Sequence, residues 1–122
     1  MSSHCLVVDD STTIRKVIGR MLQKLDFDVR EAENGQVALD VCLEEMPAFI
    51  MLDWNMPVMS GIDFLRELRK VPGGDAPKVI LCTTENEFSA IHTAMEAGAN
   101  EYIMKPFNEE IIKEKLELVG VI

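Results

Sequence analysis

Basic residues are scarce in this chain. Twelve Lys and Arg stand against 21 Asp and Glu, leaving a net charge of −9. A binder of the nucleic-acid backbone needs a basic patch, so that balance argues against DNA or RNA as a partner. An acidic surface is compatible with a cation site or with plain solubility. Cysteines are few and odd in number: Cys5, Cys42 and Cys82 form no C-x-x-C pair. Each lies in an apolar stretch, which reads as reduced, buried thiols in a cytosolic protein rather than a disulfide framework. No apolar run approaches the roughly 18–20 residues that span a bilayer, and the opening residues lack the charged start and apolar core of a signal peptide. No membrane partner is expected, and the chain reads as cytoplasmic and complete. It also has no linker, internal repeat or low-complexity tract. With 122 residues, 48% hydrophobic and 27% charged, it fits one folded domain over residues 1–122.

What is there is a fivefold alternation. Short apolar runs occur at Cys5–Val8, Val29–Ala32 (weaker), Phe49–Leu52, Lys78–Cys82 and Tyr102–Met104. Three are continuously apolar, as strands covered on both faces should be. Between them lie helix-period segments. Ile14, Val17, Ile18, Met21, Leu22 and Leu25 recur at three- and four-residue steps. A second helix spans Asn34 to Met46, with Pro47 marking its end. Ser60 opens a third, with Ile62, Leu65 and Leu68 on its apolar face and Asp63 placed as in a capping box. Ile91, Ala94 and Met95 mark a fourth, stopped by Gly98. Asn108 caps a fifth, with Glu109 and Glu110 at its positive end. Strict alternation predicts an α/β fold: a doubly wound parallel sheet with helices on both faces and ligands at the carboxyl ends of its strands.

Chemically capable residues cluster at those ends. Asp9 and Asp10 follow the first strand, Asp53 ends the third, Thr83 and Thr84 follow the fourth, and Lys105 follows the fifth. The second strand contributes nothing comparable. Any one of these could be a helix cap or a surface charge; four strand ends together point to chemistry. Carboxylates brought close repel one another unless a cation joins them. Mg²⁺, with Mn²⁺ as a substitute, suits an all-oxygen set that must also accept a phosphate oxygen. Lys105 supplies a fixed counter-charge and a threonine hydroxyl can donate to an anionic oxygen, which leaves a carboxylate free to act as nucleophile toward a phosphoryl group.

These residues carry a family resemblance. Val7-Val-Asp-Asp-Ser11, Leu52-Asp-Trp-Asn-Met-Pro57 with Ser60-Gly61, Thr83-Thr-Glu85, Ala97-Gly-Ala-Asn-Glu-Tyr102 and Lys105-Pro-Phe107 resemble the motifs of the response regulator receiver domain, in its stand-alone, chemotaxis-type (CheY-like) form. The likeness runs from about Cys5 to Leu118, with 44 residues from Asp9 to Asp53, 30 from Asp53 to Thr83 and 52 from Asp53 to Lys105. It implies a five-stranded sheet in the order 2-1-3-4-5 with five helices, flavodoxin-like in type. It assigns Asp53 as phosphoacceptor, and Asp10, Asp9 (mainly through water), Asp53 and the Asn55 backbone carbonyl as the metal shell. Lys105 and Thr83 stabilise the phosphoryl group, and Thr83 and Tyr102 form a switch. Lys105–Pro106 matches a peptide bond that is cis in the family. Asn55 and Glu85 border the path of the attacking water. Thr84 departs from the alanine or glycine common there, and so bears on the hydrolysis rate.

The chain ends after its fifth helix, so output is expected through a surface rather than an attached effector. The resemblance places that surface on helix 4, strand 5 and helix 5, at Ile91, Met95, Ala99, Tyr102 and Lys115, flanked by Phe88 and His92. The leading expectation is a monomeric signalling protein, not an enzyme in the turnover sense, phosphorylated by a histidine kinase and binding a flagellar motor-switch protein. The alternative is a phosphorelay intermediate or phosphate sink. It would exchange phosphate with a histidine phosphotransfer protein through Ile14, Arg15 and Ile18. A dehalogenase-type phosphatase would need a second acid two residues after Asp53, where Asn55 stands.

Overall fold

The computed structural model of the protein describes residues 4–54, 56–83 and 88–122. Five strands alternate with five helices: β1 His4–Val8, α1 Thr12–Lys24, β2 Asp28–Ala32, α2 Gly35–Glu44, β3 Phe49–Asp53, α3 Gly61–Lys70, β4 Lys78–Thr83, α4 Phe88–Ala97, β5 Glu101–Met104 and α5 Glu109–Leu118. The strands pair in parallel in the order β2-β1-β3-β4-β5. Continuous apolarity marked the central strands correctly. Every residue of β1 is buried, as are the first four of β3 and the last five of β4, while β2, at the sheet edge, alternates between exposed and half-buried up to the buried Ala32.

Each sheet face has its own core. Leu6, Val8, Ile50, Leu52, Val79 and Leu81 pack against α2, α3 and α4 through Ala38, Phe64, Leu65, Leu68 and Ala94. Cys5, Val7, Phe49, Met51, Ile80, Cys82 and Ile103 pack against α1 and α5 through Ile18, Leu22, Ile112 and Leu116. The three cysteines are buried and unbridged, and burial pushes each thiol up to about 12.

Local signals set the helix starts. The Asn34, Ser60 and Asn108 side chains accept from the backbone N–H three residues on, as does Ser11 at the head of α1. Helix α2 is shorter than its sequence suggests. It stops at Glu44 because Glu45 is already extended, Met46 is biased away from helix by Pro47, and Ala48 must reach the His4 carbonyl to enter the sheet.

Candidate functional site

Strand register decides which side chains can meet. Asp53 lies opposite Cys82 in β4, and Val8 opposite Leu52 in β3, so Asp9 is level with Asp53. Alternation along each strand puts Asp9, Asp53 and Lys105 on the α1/α5 side of the sheet, the side of Val7, Met51 and Ile103. Thr83 follows Leu81 onto the opposite side, where Tyr102 also packs. Two clusters therefore form at one end of the sheet, one per face.

The first is a charge cluster. Lys105 Nζ lies 2.8 Å from Asp9 Oδ2 and 3.2 Å from Asp53 Oδ1. Asp9, Asp10 and Asp53 each offer a carboxylate oxygen, all within 4.8 Å of one another. Asp9 is buried, Asp53 is half-buried and Asp10 is exposed. Asp9 is further anchored: its Oδ1 accepts from Ser11 N at 2.9 Å and its own N–H donates to the Ala32 carbonyl at 3.1 Å. Burial lifts the Asp53 carboxyl above its usual range; Lys105 opposes this, and the Asp9 and Asp10 charges add to it. Burial works against the Lys105 ammonium, but its bond to Asp9 and the charges of Asp53 and Asp9 outweigh that and hold it above the ordinary lysine range. Among the described residues, three carboxylates against one ammonium leave the cluster short of positive charge. An all-oxygen, partly open donor set of this kind fits a hard divalent cation that keeps several waters; among the described residues it includes no thiolate or imidazole.

The backbone around the cluster is tight. Trp54 N donates to the Cys82 carbonyl at 3.2 Å and Gly61 N to the Trp54 carbonyl at 3.3 Å. A Cβ on Gly61 would overlap the Asp53 carbonyl oxygen, which is why the loop after β3 needs glycine there. On β5, Lys105 N donates to the Thr83 carbonyl at 2.8 Å, and the Lys105–Pro106 bond is cis.

A chain with this site matches the model of the response regulator receiver domain over residues 5–117. It is a member of that receiver family. Chemotaxis protein CheY1 of Helicobacter pylori is 40% identical over 116 residues, covering 93% of this chain and 94% of that protein. CheY of Pseudomonas aeruginosa is 38% identical over 115 residues, covering 93% of each. Among solved structures, Vibrio cholerae CheY4 superposes with a TM-score of 0.92 at 30% identity, covering 98% of this chain and 99% of that one. The receiver domain of a P. aeruginosa sensor histidine kinase superposes at 0.89 with 25% identity, covering 98% and 99%, and is described with a magnesium ion coordinated in its active-site cleft.

The receiver's second cluster involves Thr83 and Tyr102. Thr83 is buried, and Tyr102 is half-buried against the α2–α4 core. Tyr102 is held from outside: Lys115 Nζ sits 5.0 Å from its ring centroid, and the Glu101 carboxylate accepts from Tyr102 N at 3.0 Å while pairing with Lys115 at 3.5 Å. Of the other residues expected on this face, Met95 is 41% exposed, Ile91 is half-buried and His92 is exposed. Ala99 corrects the expectation. It is only 7% exposed, because its N–H closes onto the Ala94 carbonyl and folds it beneath the end of α4. Asn55, Thr84 and Glu85, and the side chain of Phe88, lie outside the described residues.

The α1 surface needs correction too. Ile18 is almost wholly buried and the Arg15 side chain is only 14% exposed; Ile14, Val17, Ile18 and Met21 line a groove of about 360 Å³ with Lys105, Pro106 and Phe107. Sequence reasoning also missed Glu31. It lies on β2 and engages both Arg15 and Lys16.

Proposed function

We propose that the protein is a single-domain response regulator phosphorylated on Asp53 by a histidine kinase in a Mg²⁺-dependent reaction. The observation that carries this is one ammonium bridging Asp9 and Asp53 within a set of three converging carboxylates. A divalent cation bound there, held by Asp9, Asp10, Asp53 and the Asn55 backbone carbonyl, would supply charge neutralisation for the incoming phosphoryl oxygens. The chain's own residues do the rest. An Asp53 oxygen attacks phosphorus, the bond from phosphorus to the donor's imidazole nitrogen breaks, and the imidazole leaves as a neutral base once it takes a proton. Lys105 is placed to follow the charge from the carboxylate to the phosphoryl oxygens, at no cost of reorganising solvent. The Thr83 hydroxyl donates to one of those oxygens, and its movement is passed to Tyr102 on the same face of the sheet. Asn55, Glu85 and Thr84 set how easily water reaches the phosphoryl group.

Output leaves through Ile91, Met95, Tyr102 and Lys115. The cited relatives at 38–40% identity carry chemotaxis names, which favours a cytoplasmic chemotaxis role with a flagellar motor-switch protein as partner over a phosphorelay role. None of the described helices is long and apolar enough to cross a membrane.

Acetyl phosphate and Mg²⁺, with intact mass as the readout, test the acceptor. Wild type should gain one phosphoryl group and Asp53→Asn none; labelling that survives the substitution refutes the assignment. Capture of the switch protein should then rise on phosphorylation, and capture indifferent to it would exclude the chemotaxis output.

A further inference from the structure

Arg15 is a half-buried charged side chain that lies across the head of α1, outside both cores of the sheet. Its guanidinium is divided among three partners: Nη1 donates to the Asp9 carbonyl at 2.7 Å, Nε to Glu31 Oε1 at 3.0 Å and Nη2 to Thr12 Oγ1 at 3.1 Å. Glu31 is held in turn by Lys16 at 2.8 Å. A chain of contacts thus runs from edge strand β2 through α1 to the turn that carries two of the three carboxylates.

From this geometry we infer that Arg15 is a positioning residue for the cation site, with Glu31 as its anchor. The peptide unit joining Asp9 to Asp10 is planar. Fixing the Asp9 carbonyl therefore fixes the direction in which the chain leaves for Asp10. That matters because Asp9 and Asp10 are held so differently. Asp9 has both carboxylate oxygens and its N–H bonded. Asp10 is exposed, and among the described residues its carboxylate has no hydrogen-bond partner. Its aim toward Asp53 depends on the peptide plane before it, and Arg15 holds that plane. Groups that orient ligands without touching the ion commonly change metal affinity by about 10–100-fold when removed.

Glu31 has a second consequence. A guanidinium beside a cation site would repel the ion, and the Glu31 carboxylate, 3.0 Å from Arg15 and shared with Lys16, offsets part of that charge. Arg15 thus delivers orientation with part of its positive charge offset. Position and charge then predict opposite results for Arg15→Met. Loss of a repelling charge alone would tighten cation binding; loss of the carbonyl tether would weaken it.

The test is a calorimetric Mg²⁺ titration of the full chain, paired with urea unfolding. Arg15→Met should weaken Mg²⁺ binding about tenfold. Arg15→Lys should weaken it similarly, because one ammonium keeps the charge but cannot reach both the Asp9 carbonyl and Glu31. Glu31→Gln should weaken it as well. Leu22→Ala, a core change in the same helix, should lower stability with the Mg²⁺ affinity unchanged. Unchanged or tighter binding in Arg15→Met overturns the inference, as does full rescue by lysine or an equal loss in Leu22→Ala. The inference rests on the proposed cation site. Wild type that binds no Mg²⁺ would sink both, whereas wild type that binds and is phosphorylated, beside Arg15 variants of equal affinity, would sink this one alone.

Discussion

Replacing Asp53 by asparagine should make the cation-free protein more stable, although it removes the acceptor. Unit charges within 4.8 Å of one another repel by at least roughly 3 kcal/mol at an effective dielectric of about 20, and the Lys105–Asp53 attraction at 3.2 Å is worth roughly 5 kcal/mol. Asp9 contributes its repulsion nearly in full, being buried. Asp10 is exposed, and solvent cuts its share severalfold. Pairwise charges then almost cancel, and the desolvation of the Asp53 carboxylate decides the sign, in keeping with its upward-shifted pKa. An amide of the same shape escapes that cost, so Asp53→Asn should gain on the order of 1 kcal/mol in chelator at neutral pH. Mg²⁺ reverses the order. At about 100 times its Kd it would stabilise wild type by about 2.7 kcal/mol, while the variant, short of one carboxylate, gains far less. The pH dependence has a definite sign. Native Asp53 takes up its proton at higher pH than the unfolded chain does, so cation-free wild type gains stability as pH falls from the raised value toward the ordinary aspartate value of about 3.9. Its gap to the variant should close across that window. Urea unfolding followed by circular dichroism, with m-values checked for equality, measures all of this. A variant less stable than wild type in chelator, or one stabilised equally by Mg²⁺, would refute the reasoning.

Gly61→Ala forces a Cβ onto the Asp53 carbonyl and to 3.3 Å from the Trp54 carbonyl oxygen. Both are backbone atoms, so the loop must shift; a loss of about 1–3 kcal/mol with weakened Mg²⁺ binding is expected, and an unchanged urea midpoint would contradict it. Arg69→Met should cost about 2–4 kcal/mol, because the guanidinium caps the Gly74, Pro77 and Gly98 carbonyls. Amide exchange in the turn between α4 and β5 should quicken with it, and unaltered protection there would count against the role. Glu31 is held below the ordinary glutamate range by its bond to Lys16, against burial, with Arg15 adding to the effect. Its contribution is present at neutral pH and is lost as pH falls through its folded value. Glu31→Gln should therefore flatten the acid side of the stability profile, and an unchanged slope would exclude that contribution.

The sequence by itself determined a good deal. Continuous apolar runs marked β1, β3 and β4, side-chain caps marked the starts of α3 and α5, and Asp9, Asp10, Asp53, Thr83 and Lys105 stood at the predicted strand ends. These features are local: burial on both faces and cap chemistry act within a few residues, so they can be read along the chain. Only the tertiary structure decided which of those residues share a face and how the ammonium is divided between Asp9 and Asp53. It alone buried Ala99 beneath α4 and turned Arg15 inward. It also brought the edge strand into the site through Glu31, which lies 16 residues from Arg15 along the chain. Such contacts arise where α1 packs across the sheet beside β2, and neither residue's neighbours in sequence carry a trace of that meeting.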